Sequence, residues 1–418
     1  MVANPAQGEP AASEAPASNR PVVSERQTWS AVGSMALCVA LLIASEFMPV
    51  SLLTPIAKDL RATEGMAGQA VSVSGLFAVV TSLLIATVAG RFDRRHVLLG
   101  LTGLMTASLV VIAQAQSFAM LMVARAVLGI VIGGFWALST STVMRLVPSE
   151  SVPKALGLIY TGNAVATAFA APIGSYFGGI VGWRGVFWAM VPIALASLAW
   201  QWMSLPSIRP EAPNAVGELF RLLKRRYVAF ATLAVMLSFA GAFTAFTYFR
   251  PFLEGTTRVN LPQLSLMLLA LGAAGFVGTY FASRFSGSHL LTLLRWLPLG
   301  VAGVTLAMLA GGRSLPLVAV AMFAWGSLNS AIPVAWGTWQ TKGFADRPES
   351  GGGLMVAAIQ LAIMLGATLG GLLLDHLSIA ATFVGGAILL ALSSLVVGNG
   401  DRLKPTGLPS ADAAGARS

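Results

Sequence analysis

The sequence predicts an all-α integral membrane protein: twelve transmembrane helices in two pseudo-symmetric six-helix bundles. Three observations predict it. Apolar runs of roughly 18–28 residues recur along the whole chain, each long enough to cross a bilayer as a helix. The chain has 418 residues, of which 56% are hydrophobic and 10% charged, whereas a soluble domain carries about 25% charged residues. The two halves also repeat each other's local sequence. A membrane barrel would show ten-residue stretches of alternating hydrophobicity, and these runs are continuous.

The runs fall at roughly 29–57, 66–89, 97–115, 118–144, 155–181, 185–203, 227–250, 262–283, 290–310, 315–340, 353–374 and 378–398. Residues 1–27, rich in Ala, Pro, Ser and Glu, lack an apolar core and read as a disordered tail rather than a signal peptide. Residues 28–204 then form the first bundle, 205–226 a cytoplasmic linker, 227–399 the second bundle and 400–418 a second disordered tail.

Lys and Arg set the expected orientation. With the N-terminus inside, 19 of them fall in the cytoplasmic tails and loops, against Lys58, Arg61, Arg184, Arg250, Arg258 and Arg313 outside. That is a positive-inside bias and places both termini in the cytoplasm. The net charge of +10 is therefore spread over short loops and the linker. No single basic patch marks a nucleic-acid partner; the expected contact is with membrane lipid. The linker cluster Arg221, Lys224, Arg225 and Arg226 reads as a solvated segment near anionic headgroups.

The repeat is visible in two loops. Ala89, Arg91, Phe92, His96 and Leu98 recur as Ala282, Arg284, Phe285, His289 and Leu291 at one constant offset. The interval from Gly174 to Phe187 recurs between Gly370 and Phe383. Parallel repeats with a binding site at their interface form one class of transporter.

Two charges stand deep inside apolar runs, and the membrane portion holds almost no others. Glu46 lies in the first and Arg125 in the fourth. A charge at that depth costs roughly 2.5 kcal/mol or more, so it is usually paired and functional. At 1.5 Å per residue both lie about 25–28 Å from the inner ends of their helices, which makes an ion pair feasible if helices 1 and 4 are neighbours. A carboxyl out of water favours its protonated form, and a nearby guanidinium favours its charged form. A change in the Arg125 distance would then switch Glu46 between holding and releasing a proton. The plainer alternative is a static pair that fixes helix packing.

Mid-membrane aromatic and amide residues are the candidate ligands for a small molecule: Trp136, Tyr160, Asn163, Phe243, Trp325, Asn329, Trp336 and Gln360. Amides in lipid must face the bundle interior, so Asn163, Asn329 and Gln360 rank first. Each aromatic can equally serve packing. Gly129 with Gly133, and Gly174 with Gly178, permit close helix contact. Pro49, Pro55, Pro172 and Pro333 free backbone groups that neighbours must satisfy.

Enzyme chemistry finds no support. The single cysteine, Cys38, excludes a disulfide within the chain, and His96, His289 and His376 are isolated. There is no phosphate-binding Gly-rich loop. No cofactor or metal is called for, and the expected energy source is an ion gradient.

Several of these motifs resemble the major facilitator superfamily. Asp93-Arg94-Arg95 is similar to the acidic and basic part of that family's loop 2–3 signature, with Ala89 where its first Gly is expected. Arg125-x-x-x-Gly129-x-x-x-Gly133-Gly134 resembles the helix-4 arginine motif of proton-driven members. Ala171-Pro172-Ile173-Gly174 resembles the antiporter Gly-Pro motif, and Gly182-Trp183-Arg184-Gly185-Val186-Phe187 the helix 5–6 connection of drug:proton antiporters. The stretches Glu46–Pro55, Gly133–Ala137, Met144–Pro148, Val152–Leu156, Phe249–Pro251 and Pro333–Trp336 are similar to purine-nucleoside exporters within the superfamily.

The resemblance implies a multi-pass protein of the bacterial cytoplasmic membrane that exports purine ribonucleosides in exchange for protons. Sugar or hydrophobic-drug efflux is the alternative, and a membrane receptor without transport a more distant one. It implies proton coupling at Glu46 and Arg125 and substrate contacts at Trp136, Asn163, Asn329, Trp336 and Gln360. Asp93, Arg94 and Arg95 would form a gating loop.

Overall fold

The computed structural model describes residues 24–89, 91–208 and 221–404. Its long helices are α1 Glu25–Ser51, α2 Glu64–Ala89, α3 Arg94–Ala113 and α4 Phe118–Leu146. A single helical run, Val152–Ser204, follows. The remainder are α7 Arg226–Phe246, α8 Leu261–Phe285, α9 Leu290–Ala310, α10 Leu315–Gly343, α11 Pro348–His376 and α12 Ile379–Val397.

The 53-residue run would be about 80 Å long if straight, against an apolar membrane thickness of about 30 Å. It is not straight. Gly182 has φ 74° and ψ 162°, a conformation open to glycine and strained for residues with a Cβ. The chain turns there, dividing the run into α5 (152–181) and α6 (183–204). Among the described residues, eleven apolar helical stretches thus become twelve spans.

The first expected segment, 29–57, is also interrupted. Pro49 lies inside α1, the helix ends at Ser51, and a short helix Leu53–Asp59 continues in a new direction. At the N-terminus, helix begins earlier than expected. Ser24 caps α1 by accepting from the Gln27 N–H at 3.2 Å, so residues 24–27 belong to the first helix. Residues 1–23, 209–220 and 405–418, expected to be tails and linker, lie outside the described residues. Of the expected C-terminal tail, Asp401–Leu403 forms one 3-10 turn with Leu403 buried.

Two apolar cores fill the molecule. Met35, Leu42, Leu128, Phe135 and Phe187 represent the first, built from α1–α6. Val228, Phe249, Phe252, Trp325, Trp336 and Phe383 represent the second, built from α7–α12. Between them, Val50 and Val71 pack with Phe243, Ile363 and Ala367.

One end of the helices carries the turn before α3 and the start of the 205–226 linker; we term it the linker end. The far end carries Lys58–Thr63 and Gly182. The halves meet along α2 with α11 and α5 with α8, from the far end to mid-depth. Ser72 donates to the Met364 carbonyl at 3.2 Å, Thr368 to Ser72 at 3.0 Å, and Ser265 to Ser175 at 3.2 Å. Gly272 touches the Ala168 backbone. The bundles therefore meet closely from the far end to mid-depth.

Candidate functional site

The site begins with a proline. In an α-helix the N–H of residue i donates to the carbonyl of residue i−4. Pro49 has no N–H, so the Ser45 carbonyl loses its partner. Arg125 supplies one: its Nη1 donates to the Ser45 carbonyl at 2.7 Å, and its Nη2 to the Glu46 carbonyl at 3.2 Å. The same guanidinium bonds α2, from Nε to the Ala70 carbonyl at 2.8 Å and from Nη2 to the Ser74 hydroxyl at 2.8 Å. Arg125 is fully buried, at 0% exposure, and joins α1, α2 and α4 at one point.

The expected ion pair is thereby corrected. Arg125 is a neighbour of Glu46, but it binds the main chain of that residue, and no salt bridge joins the two side chains. Depth along two helices locates neighbours and says nothing of which oxygen a guanidinium meets. The signal for the carbonyl was present in the spacing of Ser45 and Pro49.

The Glu46 carboxylate, 3% exposed, turns to the other half instead. Gln360 of α11, 6% exposed, places Nε2 3.4 Å from Glu46 Oε1. Gln360, expected among the substrate ligands, thus contacts the buried acid in this conformation. Beside them Phe47 packs against Phe243 and Phe246 at centroid distances of 5.8 and 6.2 Å. Acid, amide and three aromatic rings from both halves converge at the closed junction.

The other expected ligands separate into two groups. Trp136 is half-buried and stacks on Tyr160 at 5.9 Å with 30° between planes. Asn163 lies one turn further along α5, half-buried, and its side-chain amide has no hydrogen-bond partner among the described residues. Asn329 on α10 is likewise half-buried, with no amide partner among the described residues. It follows Trp325 by one turn, and Trp325 stacks on Phe246 at 5.8 Å.

Trp336 does not join them. It is 1% exposed and packs edge-on against Trp339 at 5.9 Å inside the second core. Its ring does not face the space between the halves, a correction to its expected role in stacking. Trp325 is equally a core residue, with Nε1 bonded to Thr305 at 3.1 Å.

The Asp93-Arg94-Arg95 loop is a hub of the first half. Asp93 caps α3 by accepting from the Arg95 N–H at 2.8 Å, and also accepts from the Ile208 N–H at 3.0 Å and the Ser207 hydroxyl. The Arg94 N–H donates to the Ile208 carbonyl at 3.0 Å, and its Nη1 to the Ser141 hydroxyl. Arg95 Nη2 reaches the Trp202 carbonyl at 2.7 Å. Partial burial pushes the Asp93 carboxyl up; the bonds from Ser207, Ile208 and Arg95, with the charge of His96, outweigh it and hold it below the usual carboxylate range. The loop thus anchors the beginning of the inter-half linker, a role that the expected gating function did not include.

Comparison with known proteins agrees with this architecture. The profile of the Major Facilitator Superfamily matches residues 35–350. A Pseudomonas aeruginosa protein named transcription regulatory protein OpdE is 48% identical over 373 residues, covering 88% of this chain and 93% of its own. Purine ribonucleoside efflux pump NepI of Salmonella enteritidis is 41% identical over 380 residues, covering 91% and 96%. Among solved structures, a bacterial homologue of the human lysosomal transporter Spinster, inward-facing and occupied, superposes with a TM-score of 0.74 at 14% identity. It covers 90% of this chain and 97% of that one. Twelve spans in two bundles, a profile match over most of the chain and relatives above 40% identity lead to one conclusion: the chain belongs to the major facilitator superfamily.

Proposed function

We propose that this protein exports purine ribonucleosides across the bacterial cytoplasmic membrane in exchange for protons, by alternating access, with the linker end in the cytoplasm. The observation that carries the proposal is Glu46, an acid buried where the two halves meet and hydrogen-bonded to Gln360 of the opposite half. A carboxylate at such a junction can meet water from one side or the other as the halves rock. Proton uptake on one side and release on the other would then couple to that rocking.

The name of the relative NepI supports the substrate class, as does the chemistry of the half-buried residues on α4, α5 and α10. A purine offers a flat face and polar edges. The Trp136–Tyr160 stack supplies aromatic surface, and the amides of Asn163 and Asn329 supply donors and acceptors for the base edge or ribose. A proton moving inward across 100 mV releases about 2.3 kcal/mol, and each pH unit adds about 1.4 kcal/mol. One proton per neutral nucleoside, with 100 mV and one pH unit, would sustain a gradient of roughly several hundredfold.

The test is flux of radiolabelled inosine, guanosine, arabinose and chloramphenicol in proteoliposomes with an imposed pH gradient. Inosine and guanosine are expected to move against their gradients, and Asn163→Ala to weaken apparent inosine affinity about fivefold, the cost of one unpaired buried group. Flux of arabinose or chloramphenicol in their place would assign the site to sugars or drugs. The relative named as a transcription regulatory protein motivates a second reading, a membrane regulator without transport. That reading predicts no gradient-dependent flux of any of the four.

A further inference from the structure

At the far end, the halves meet through charges that the transport reading leaves without a role. Asp375, the penultimate residue of α11, accepts from the Thr63 hydroxyl at 2.6 Å and from the Gly65 N–H at 3.1 Å. Gly65 is the second residue of α2, so its N–H is one of those an α-helix leaves without an internal acceptor. A carboxylate there also meets the positive end of the helix dipole.

Arg250 does the converse. It is 7% exposed, sits in the short helix Phe249–Phe252, and is bonded from Nε to Glu254 at 2.8 Å. Its Nη1 crosses to the other half and donates to the carbonyl of Ser51. Ser51 is the last residue of α1, where carbonyls lack internal donors and a cation has the favourable sign. Tyr248 is packed between the two contacts, fully buried, with its hydroxyl 2.9 Å from the Ala367 carbonyl and 3.5 Å from that of Gly65.

We propose that Asp375 and Arg250 form a two-part latch: an acid and a base of the second half cap, respectively, the start of α2 and the end of α1 in the first half, and hold the far end closed. Both bonds cross between the halves, so neither survives when the far ends part. The latch sets the balance between the two conformations without touching the carried solute. Its failure is distinguishable from that of the functional proposal, because the measurement needs no substrate.

The test uses full-length protein in nanodiscs with Cys38→Ser as background. Spin labels at Lys58→Cys and Leu377→Cys report the far end, and labels at Leu158→Cys and Lys342→Cys report the linker end. Double electron–electron resonance on Asp375→Ala and Arg250→Ala should show the far-end distance lengthening and the linker-end distance shortening together. The open-to-closed ratio at the far end should rise about fivefold or more. Arg250→Lys, which keeps a cation near Ser51, should recover part of the closed population. Unchanged distances in monodisperse protein would overturn the latch, as would far-end broadening without change at the linker end. If the alanine variants aggregate, Asp375→Asn and Arg250→Lys are read on the same scale. An intermediate shift supports the latch and wild-type distributions overturn it.

Discussion

At the residue scale, Pro49 explains much of what Arg125 does. The proline opens one turn of α1, and the arginine closes it from α4 while also bonding α2. Lysine cannot reproduce this. It presents three donors at a single point, whereas guanidinium spreads five over a planar fork. Arg125→Lys should therefore leave buried carbonyls unpaired at about 1–3 kcal/mol each and lower the thermal midpoint in detergent. Pro49→Ala restores the amide that Ser45 lacks, so it should lessen the damage. The expected result of a Pro49→Ala/Arg125→Lys double-mutant cycle is a coupling of about 0.5–3 kcal/mol, and additive losses would show that the two residues act separately.

At the scale of elements, α4 approaches α2 closely enough that glycine is required. A methyl group at Gly129 would collide with the Ser74 carbonyl, and one at Gly133 with the Ala78 carbonyl. Carbonyl oxygens held in a helix cannot step aside as a flexible side chain does. Gly133→Ala should push α4 off α2 and destabilise the protein, typically by 1–3 kcal/mol or more. Gly103→Ala in α3 meets open space and should be neutral or stabilising by up to about 1 kcal/mol. Comparing the two variants by thermal unfolding checks the packing directly.

The elements were the legible part of the sequence. Apolar runs of membrane-crossing length, the Gly182 connection and the repeated loop motifs all mark features that the structure contains. The site was legible only in part. Glu46 and Arg125 stand out because charge in an apolar run is rare, but which atoms they meet depends on rotation about the helix axis, which length and composition do not encode. Trp336 shows the same limit. An aromatic ring in an apolar helix has one sequence signature whether it faces a cavity or the core. Asp375, Arg250 and Thr63 sit at helix ends, where charged and polar residues are ordinary, so nothing in the sequence separates a contact between halves from a solvated loop.

At the scale of the whole molecule, the proposed mechanism makes the two halves a lever with the buried acid near its fulcrum. Far-end contacts along α2 with α11 and α5 with α8 hold one side closed. Glu46 lies at the closed junction with Gln360 across from it. In the proposed mechanism, nucleoside carriage, proton coupling and rocking all meet at this residue. The most direct test compares wild type with Glu46→Gln in proteoliposomes loaded with inosine, measured once under an imposed pH gradient and once as inosine counterflow without one. Gln keeps the size and hydrogen-bonding capacity of the acid but carries no titratable proton. The account predicts that pH-driven accumulation is lost while counterflow persists, and full pH-driven accumulation by Glu46→Gln would contradict it.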